Sequence, residues 1–186
     1  MPVNMEKKVI LVDMDDTVEN LAATWIGMVN ERYGTSARPE DQRVWDMAQT
    51  FPELEREQVY EILREDELYM RAKPIPGAQE YLRKLKEDGH EIYFVTVNPH
   101  HTVHAKVEGL VNRYFPFIDW DHVIIARNKQ MIRGDVMVDD GPHNLENGDY
   151  VRILFTAQHN KEYDAEANGM IRVDTWEEVY KVINSL

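Results

Sequence analysis

Four short stretches place groups able to bind or move a phosphoryl group directly behind apolar runs. Asp13, Asp15 and Asp16 fall within DMDDT, behind VILV at residues 9–12. Thr96, Val97 and Asn98 end the run EIYFV, Lys129 follows HVIIA, and Asp139-Asp140 follows VMV. Ionised acids gathered at one place repel, and burial penalises each of them. A hard divalent cation removes that conflict. Mg2+ takes oxygen ligands from one or two carboxylates and favours sites shared with a phosphate. Lys129 can then hold the remaining phosphate charge. The Thr96 hydroxyl, with backbone N–H groups beside it, can bind another phosphate oxygen. Asp13 and Asp15 point to the same side of an extended segment. One can attack phosphorus as a nucleophile, and the other can give and take the proton.

Each piece has a plainer reading. A D-x-D is common, a single lysine in a loop is usually a solvated charge, and Asp-Asp before Gly-Pro opens a turn. The order of the pieces and their strand contexts make the case.

For these groups to meet, the strands must be parallel and aligned. Residues 9–12 form a continuous apolar run suited to a sheet buried on both faces. Residues 19–33 carry Leu21, Ala22, Trp25, Met28, Val29 and Tyr33 at helical spacing, with Gly34 as the stop. A Pro- and charge-bearing stretch occupies residues 36–52, and residues 53–70 form a second, acidic helical run. From KPIPG at residues 73–77 the pattern becomes strand–helix alternation: helix over 78–89, strand over 91–97, helix over 102–114, strands over 122–126, 136–138 and 151–155. A last helix spans 175–186, opened by Thr175 and Glu178 at capping-box spacing. The expected fold is α/β, a Rossmann-like parallel sheet with helices on both faces and its ligand site at the carboxyl ends of the strands. Residues 19–73 hold no convincing strand. They read as a small helical cap domain inserted after the first strand, leaving residues 1–18 and 74–186 as the core domain.

Composition narrows the function. The chain has 186 residues and a formal charge of −13, which disfavours a nucleic-acid polymer as partner. It has no cysteine, so disulfides and thiolate metal sites are excluded. The N-terminal stretch is too short for a signal h-region, and no apolar run reaches the roughly 18 residues of a membrane span. The expectation is a soluble, cytoplasmic protein.

DMDDT, Thr96, Lys129 and GDVMVDD (residues 134–140) together resemble, in the same order, the four motifs of the haloacid dehalogenase superfamily of phosphotransferases. The resemblance implies Asp13 as nucleophile and Asp15 as general acid and base. It implies Mg2+ held by Asp13, the Asp15 main-chain carbonyl, Asp139 and Asp140. Thr96, Val97, Asn98 and Lys129 would bind phosphoryl oxygens, and the insertion would be a C1-type cap. Within the superfamily the chain is most similar to the 5′(3′)-deoxyribonucleotidases, through IPGA (Ile75–Ala78), the run VDD-x-PHN and the placement of Lys106 as a second phosphate-contacting lysine. The implied substrate is a nucleoside 5′-monophosphate, and a homodimer is one assembly to expect. Two positions depart from that group: its aromatic residue eight positions after the nucleophile is Leu21 here, and its basic residue after the paired acids is Gly141.

Leu21, Trp45 and Phe51 are the candidate substrate-pocket residues, the two aromatics because they fall outside any clear periodicity. Trp25, at helical spacing, is expected in the core. His100, His101 and His104 read as helix-start residues at the edge of the site rather than a metal centre, because no third ligand is placed. The acidic run over 53–67 reads as a solvated face. Two rivals are a phosphatase of the same superfamily acting on a sugar phosphate or phosphorylated cofactor, and a receiver-like phospho-accepting module. The receiver orders its acids, Thr and Lys differently and carries no cap.

Overall fold

The computed structural model describes residues 6–186; the first five residues assigned to the core domain lie outside the described residues. Six strands form one fully parallel sheet: β1 (Val9–Asp13), β2 (Glu91–Thr96), β3 (Val123–Ile125), β4 (Val136–Asp139), β5 (Val151–Phe155) and β6 (Ile171–Val173). Their order across the sheet is β3-β2-β1-β4-β5-β6. β1 is central, pairing Asp13 with Val95 on one side and Val12 with Val138 on the other. That register brings the residues that end β1, β2 and β4 to the same edge.

The apolar runs are continuous because alternate side chains enter different layers. Ile10, Val12, Ile92, Phe94, Val138 and Ile153 pack into the larger core cluster, while Leu11, Val95, Met137 and Leu154 pack into the smaller one. α4 (Ala78–Glu87) and α7 (Trp176–Ser185) cover the larger face through Leu82, Leu85, Trp176 and Val179. The short α6 (Pro142–Leu145) and the irregular segment with Ala165 and Met170 cover the other. Thr175 caps α7, accepting from the Glu178 N–H at 3.2 Å.

Between β1 and α4 lie α1 (Leu21–Tyr33), α2 (Arg56–Tyr60) and α3 (Asp66–Arg71) with several single 3₁₀ turns, and no strand among the described residues. α1 ends where expected: Gly34 has φ +69 and returns its N–H to the Asn30 carbonyl, a left-handed stop that suits glycine. Trp25 is a core residue, with its indole N–H donating to the Val59 carbonyl at 2.7 Å.

Several elements differ from expectation. The helix expected over 53–70 is three pieces: α2 runs directly into a 3₁₀ turn, Glu61–Arg64, and Glu65, extended (φ −101, ψ 129) and paired with Arg32, separates that turn from α3. The helix expected over 102–114 passes through a 3₁₀ turn, α5 (Val103–Lys106) and a π-helical segment, Val107–Asn112. β6 was missed: its three residues are too few to show a period. Residues 122–126 yield only the three-residue edge strand β3.

Candidate active site

β1 delivers Asp13 to the sheet edge and then turns sharply. The Met14 carbonyl accepts from the N–H groups of Thr17, Val18 and Glu19 at 3.3, 3.0 and 3.2 Å. The Trp176 indole holds this loop from below, donating to the Thr17 carbonyl at 2.9 Å. Asp16 sits at φ +55, a left-handed position that Asp tolerates. Its side-chain oxygen accepts from the Ala22 N–H at 3.0 Å, serving a first turn of α1 that has no acid of its own. The third acid of DMDDT is therefore a helix cap.

Asp13, Asp139 and Asp140 are buried, and one oxygen of each lies within 4.8 Å of the others. Lys129, also buried, donates to Asp13 Oδ1 and, at 2.7 Å, to Asp139 Oδ2. The other Asp139 oxygen accepts from the Gly141 N–H at 2.8 Å and Asn144 Nδ2 at 2.9 Å. Asp140 Oδ1 is buried with no hydrogen-bond partner. Burial pushes the Asp13 carboxyl up to about 7; Lys129 opposes the rise, and the charges of Asp139 and Asp15 add to it. Burial likewise drives Asp140 well above the carboxylate range, with Asp13 and Asp139 adding. Three buried acids against one lysine leave an excess of negative charge and an orphaned oxygen. That donor set fits a hard divalent cation.

A second lysine completes the opposite wall. Lys106, from α5, donates to Asp15 Oδ1 and, at 2.8 Å, to the Thr96 hydroxyl. Thr96 is buried at the end of β2, and Val97 is partly exposed beyond it. Asn98 turns away, donating to Thr102 Oγ1 at 3.1 Å, with its Oδ1 buried and unpaired. The structure thus gathers Asp13, Asp15, Thr96, Lys106, Lys129, Asp139 and Asp140 at one end of the sheet.

Of the pocket residues, Trp45 is 53% exposed and lies edge-on to His143 and His159, ring centroids 4.6 and 4.9 Å away. His159 Nε2 is 3.5 Å from Asp140 Oδ2, so Trp45 stands one side chain from the acid cluster. Leu21 is buried at the start of α1. Phe51 is a correction: it is fully buried in the larger core cluster and has no surface to offer a ligand. Its place outside any helical period reflects a core residue that closes a 3₁₀ turn, Met47–Thr50, not a ligand contact. Among the described residues the histidines at 100, 101 and 104 join no metal-binding group.

Sequence reasoning missed Glu19, His159 and Asn160. The two last follow β5 and could have been found by asking what stands behind every strand. Asn160 donates to the carbonyls of Asp140 and Phe155 at 2.7 and 2.8 Å, tying the β5 end to the acid pair.

A parallel sheet with acids, Thr and Lys converging at its carboxyl edge is the fold of hydrolases of the haloacid dehalogenase class. The fold is shared with a haloacid dehalogenase-like hydrolase from Streptococcus pneumoniae (TM-score 0.65, 12% identity, 95% of this chain and 98% of that one). It is shared also with a Bacillus subtilis protein described as a HAD-hydrolase bound to magnesium (TM-score 0.61, 14% identity, 96% and 99%). Residues 7–186 match the model of the family described as 5′ nucleotidase, deoxy (pyrimidine), cytosolic type C protein, and the chain belongs to that family. It is thereby a phosphoric monoester hydrolase of the 5′-nucleotidase type. Curated relatives include the 5′(3′)-deoxyribonucleotidases of Bacillus subtilis strain 168, 35% identical over 93% of this chain and 96% of that protein, and of Clostridium acetobutylicum, 30% identical over 98% of each.

Proposed function

We propose that the protein is a Mg2+-dependent phosphatase of deoxyribonucleoside 5′-monophosphates, releasing nucleoside and inorganic phosphate through an aspartyl-phosphate on Asp13. The observation that carries the reading is the buried cluster of Asp13, Asp139 and Asp140 with Lys129 among them, facing Asp15, Thr96 and Lys106.

An Asp13 oxygen attacks phosphorus, and the bond from phosphorus to the nucleoside oxygen breaks. The leaving oxygen keeps the electron pair and takes a proton from Asp15. Asp15 then removes a proton from water, whose oxygen attacks phosphorus and returns Asp13 as a carboxylate with release of phosphate. Lys129, Lys106, the Thr96 hydroxyl and the backbone N–H groups at Val97 and Asn98 hold the phosphoryl oxygens. Mg2+ bound by Asp13, Asp139, Asp140 and the Asp15 main-chain carbonyl would neutralise charge on the transferring group.

Residues 19–73 act as a cap domain over the core formed by residues 1–18 and 74–186. Trp45 belongs to the cap and faces the nucleoside end, offering a ring to the base, while Leu21 is buried at the start of α1 and supports the cap from within. The setting is cytoplasmic, the substrate is a free nucleotide rather than a polymer, and a homodimer is compatible with both. Among the described residues no helix is long and apolar enough to cross a membrane. A panel of nucleoside monophosphates, sugar phosphates and phosphorylated cofactors, read by phosphate release with and without Mg2+, tests the reading. A faster reaction with a sugar phosphate than with every deoxynucleotide would overturn the substrate assignment.

A further inference from the structure

Glu19 is a buried carboxylate with no task in the reaction above. It is 0% exposed, and neither of its oxygens receives a hydrogen bond. Burial pushes the Glu19 carboxyl well above its ordinary range, with Asp15 and Asp16 adding, and Lys106, whose Nζ lies 3.5 Å from Glu19 Oε1, is the charge that opposes the rise. Lys106 is itself 2% exposed and already donates to Asp15 Oδ1 and Thr96 Oγ1. Three oxygens, two from the loop after β1 and one from the end of β2, therefore surround one ammonium.

The backbone at Glu19 is equally constrained. It bridges to Asp15 and to Pro74. The neighbouring Asn20 N–H donates to the Lys73 carbonyl at 3.0 Å, and the Ile75 N–H to the Val18 carbonyl at 2.9 Å. Glu19 thus stands where the chain leaves the sheet for residues 19–73 and where it returns.

The partition of charge gives this placement a purpose. If Asp15 is to carry a proton to and from the reacting oxygens, it must let go of Lys106. A buried ammonium stripped of its only carboxylate is strongly disfavoured. With Glu19 in place, Lys106 keeps a counterion throughout and stays beside Thr96. We propose that Glu19 is a positioning residue, the standing counterion that holds Lys106 at Thr96 and frees Asp15 to turn toward the leaving group. This rests on the phosphate-binding role given to Lys106 above.

Glu19→Gln keeps the shape and removes the charge. The first readout needs no substrate: the side-chain amine of Lys106, observed by lysine-selective 15N NMR. In folded Glu19→Gln its resonance moves and its amine protons exchange with water at least ten-fold faster. The second is inhibition by inorganic phosphate, which weakens roughly five- to ten-fold. In a Lys106→Met background the Glu19→Gln change has no further effect on phosphate, because its influence runs through the amine. A merely structural role for Glu19 would leave the Lys106 signal in place and add its effect to that of Lys106→Met; either result overturns the proposal. If Glu19→Gln does not fold, Glu19→Asp, which withdraws the charge by one methylene, gives the same amine readout. A Lys106 signal that responds as expected in a protein binding no phosphate would uphold the Glu19–Lys106 linkage and overturn the enzyme reading instead.

Discussion

Lys129 donates to the carboxylate of Asp13 across 116 positions of sequence, and both groups are buried at the carboxyl edge of the sheet. The contact joins the end of the central strand to the turn after edge strand β3 and places the nucleophile candidate against a fixed cation. Asp13→Asn should therefore abolish turnover while sparing the fold. Exchanging a carboxylate disfavoured by burial for a neutral amide removes a cost, so metal-free Asp13→Asn at pH 8 should melt no lower than the parent. Loss in kcat of about 10³-fold or more is expected for a nucleophile. Measurable turnover near the parental rate, at saturating Mg2+, would sink the assignment.

The converse variant should behave in the opposite way. Burial works against the Lys129 charge, yet Asp13 and Asp139 together raise its pKa above the ordinary lysine value. Lys129→Met leaves Asp13, Asp139 and Asp140 together without a cation. Breaking a buried pair this way typically costs about 3–5 kcal/mol, or roughly 10 °C in melting temperature for a chain of this size. Differential scanning fluorimetry in EDTA measures it, and added Mg2+ should restore part of the loss. A shift under about 2 °C would show that the lysine is not the acids' main counterion.

Stability of the metal-free protein should fall as pH rises toward neutrality. Burial is the largest cause raising both Asp13 and Asp16 from 3.8 to about 7; Lys129 opposes it at Asp13, and the Ala22 N–H opposes it at Asp16. Between these limits the folded state holds protons that the unfolded chain has released. The contribution is thus full below about pH 4 and lost as pH climbs through about 7, on the order of several kcal/mol for the two together. Asp46, held low chiefly by its hydrogen bond from Arg56, acts oppositely, and only on the acid side of the ordinary carboxylate range. Urea midpoints in EDTA should be higher at pH 5.5 than at pH 8. Asp16→Asn tolerates the left-handed backbone and should flatten that slope; an unchanged slope would remove Asp16 as a source.

Much of this site was legible because it obeys one rule: polar groups stand immediately behind apolar strands. Asp13, Thr96, Lys129, Asp139 and Asp140 could be placed from that alone, and the register of β1, β2, β3 and β4 brings them together. Glu19 was not legible, because an acid in a loop carries no sign that the fold will bury it. The break at Glu65 was hidden for a different reason. Val59, Ile62 and Leu68 are all buried, so apolar periodicity runs through the interruption, and only the tertiary pair with Arg32 reveals the extended residue. Phe51 and Trp45 looked alike in sequence and separated only through burial.

Trp45 and Phe51 should also separate in experiment. Phe51→Ala opens a cavity in the core and should cost about 3–5 kcal/mol of stability. Trp45→Ala should change stability little, because the ring is half exposed. Stacking of a base on an aromatic ring is worth about 1–3 kcal/mol, so Trp45→Ala should raise KM for a deoxynucleotide by about ten-fold or more. Hydrolysis of a phosphomonoester without a base, such as p-nitrophenyl phosphate, should be unaffected. An equal loss on both substrates would place Trp45 in cap closure rather than base contact.

Gly109 supplies a last test, of how α3 is seated. It lies in the π-helical segment three residues after Lys106, and a Cβ there would stand 2.7 Å from Met70 Sδ, 3.0 Å from the Tyr69 carbonyl oxygen and 3.1 Å from Met70 Cα. The Met70 thioether can swing aside, but the two backbone atoms cannot. Gly109→Ala must therefore push α3 away from the segment that carries Lys106. Overpacking of this kind costs about 1–3 kcal/mol. The displacement should also reach Tyr69, whose ring centroid lies 5.6 Å from Lys106 Nζ, and so raise KM for the phosphate ester more than it lowers kcat. A double variant Gly109→Ala, Met70→Ala relieves only the side-chain clash and should recover part of the stability. Full recovery would mean that the backbone approach of α3 to Gly109 is not what the glycine protects.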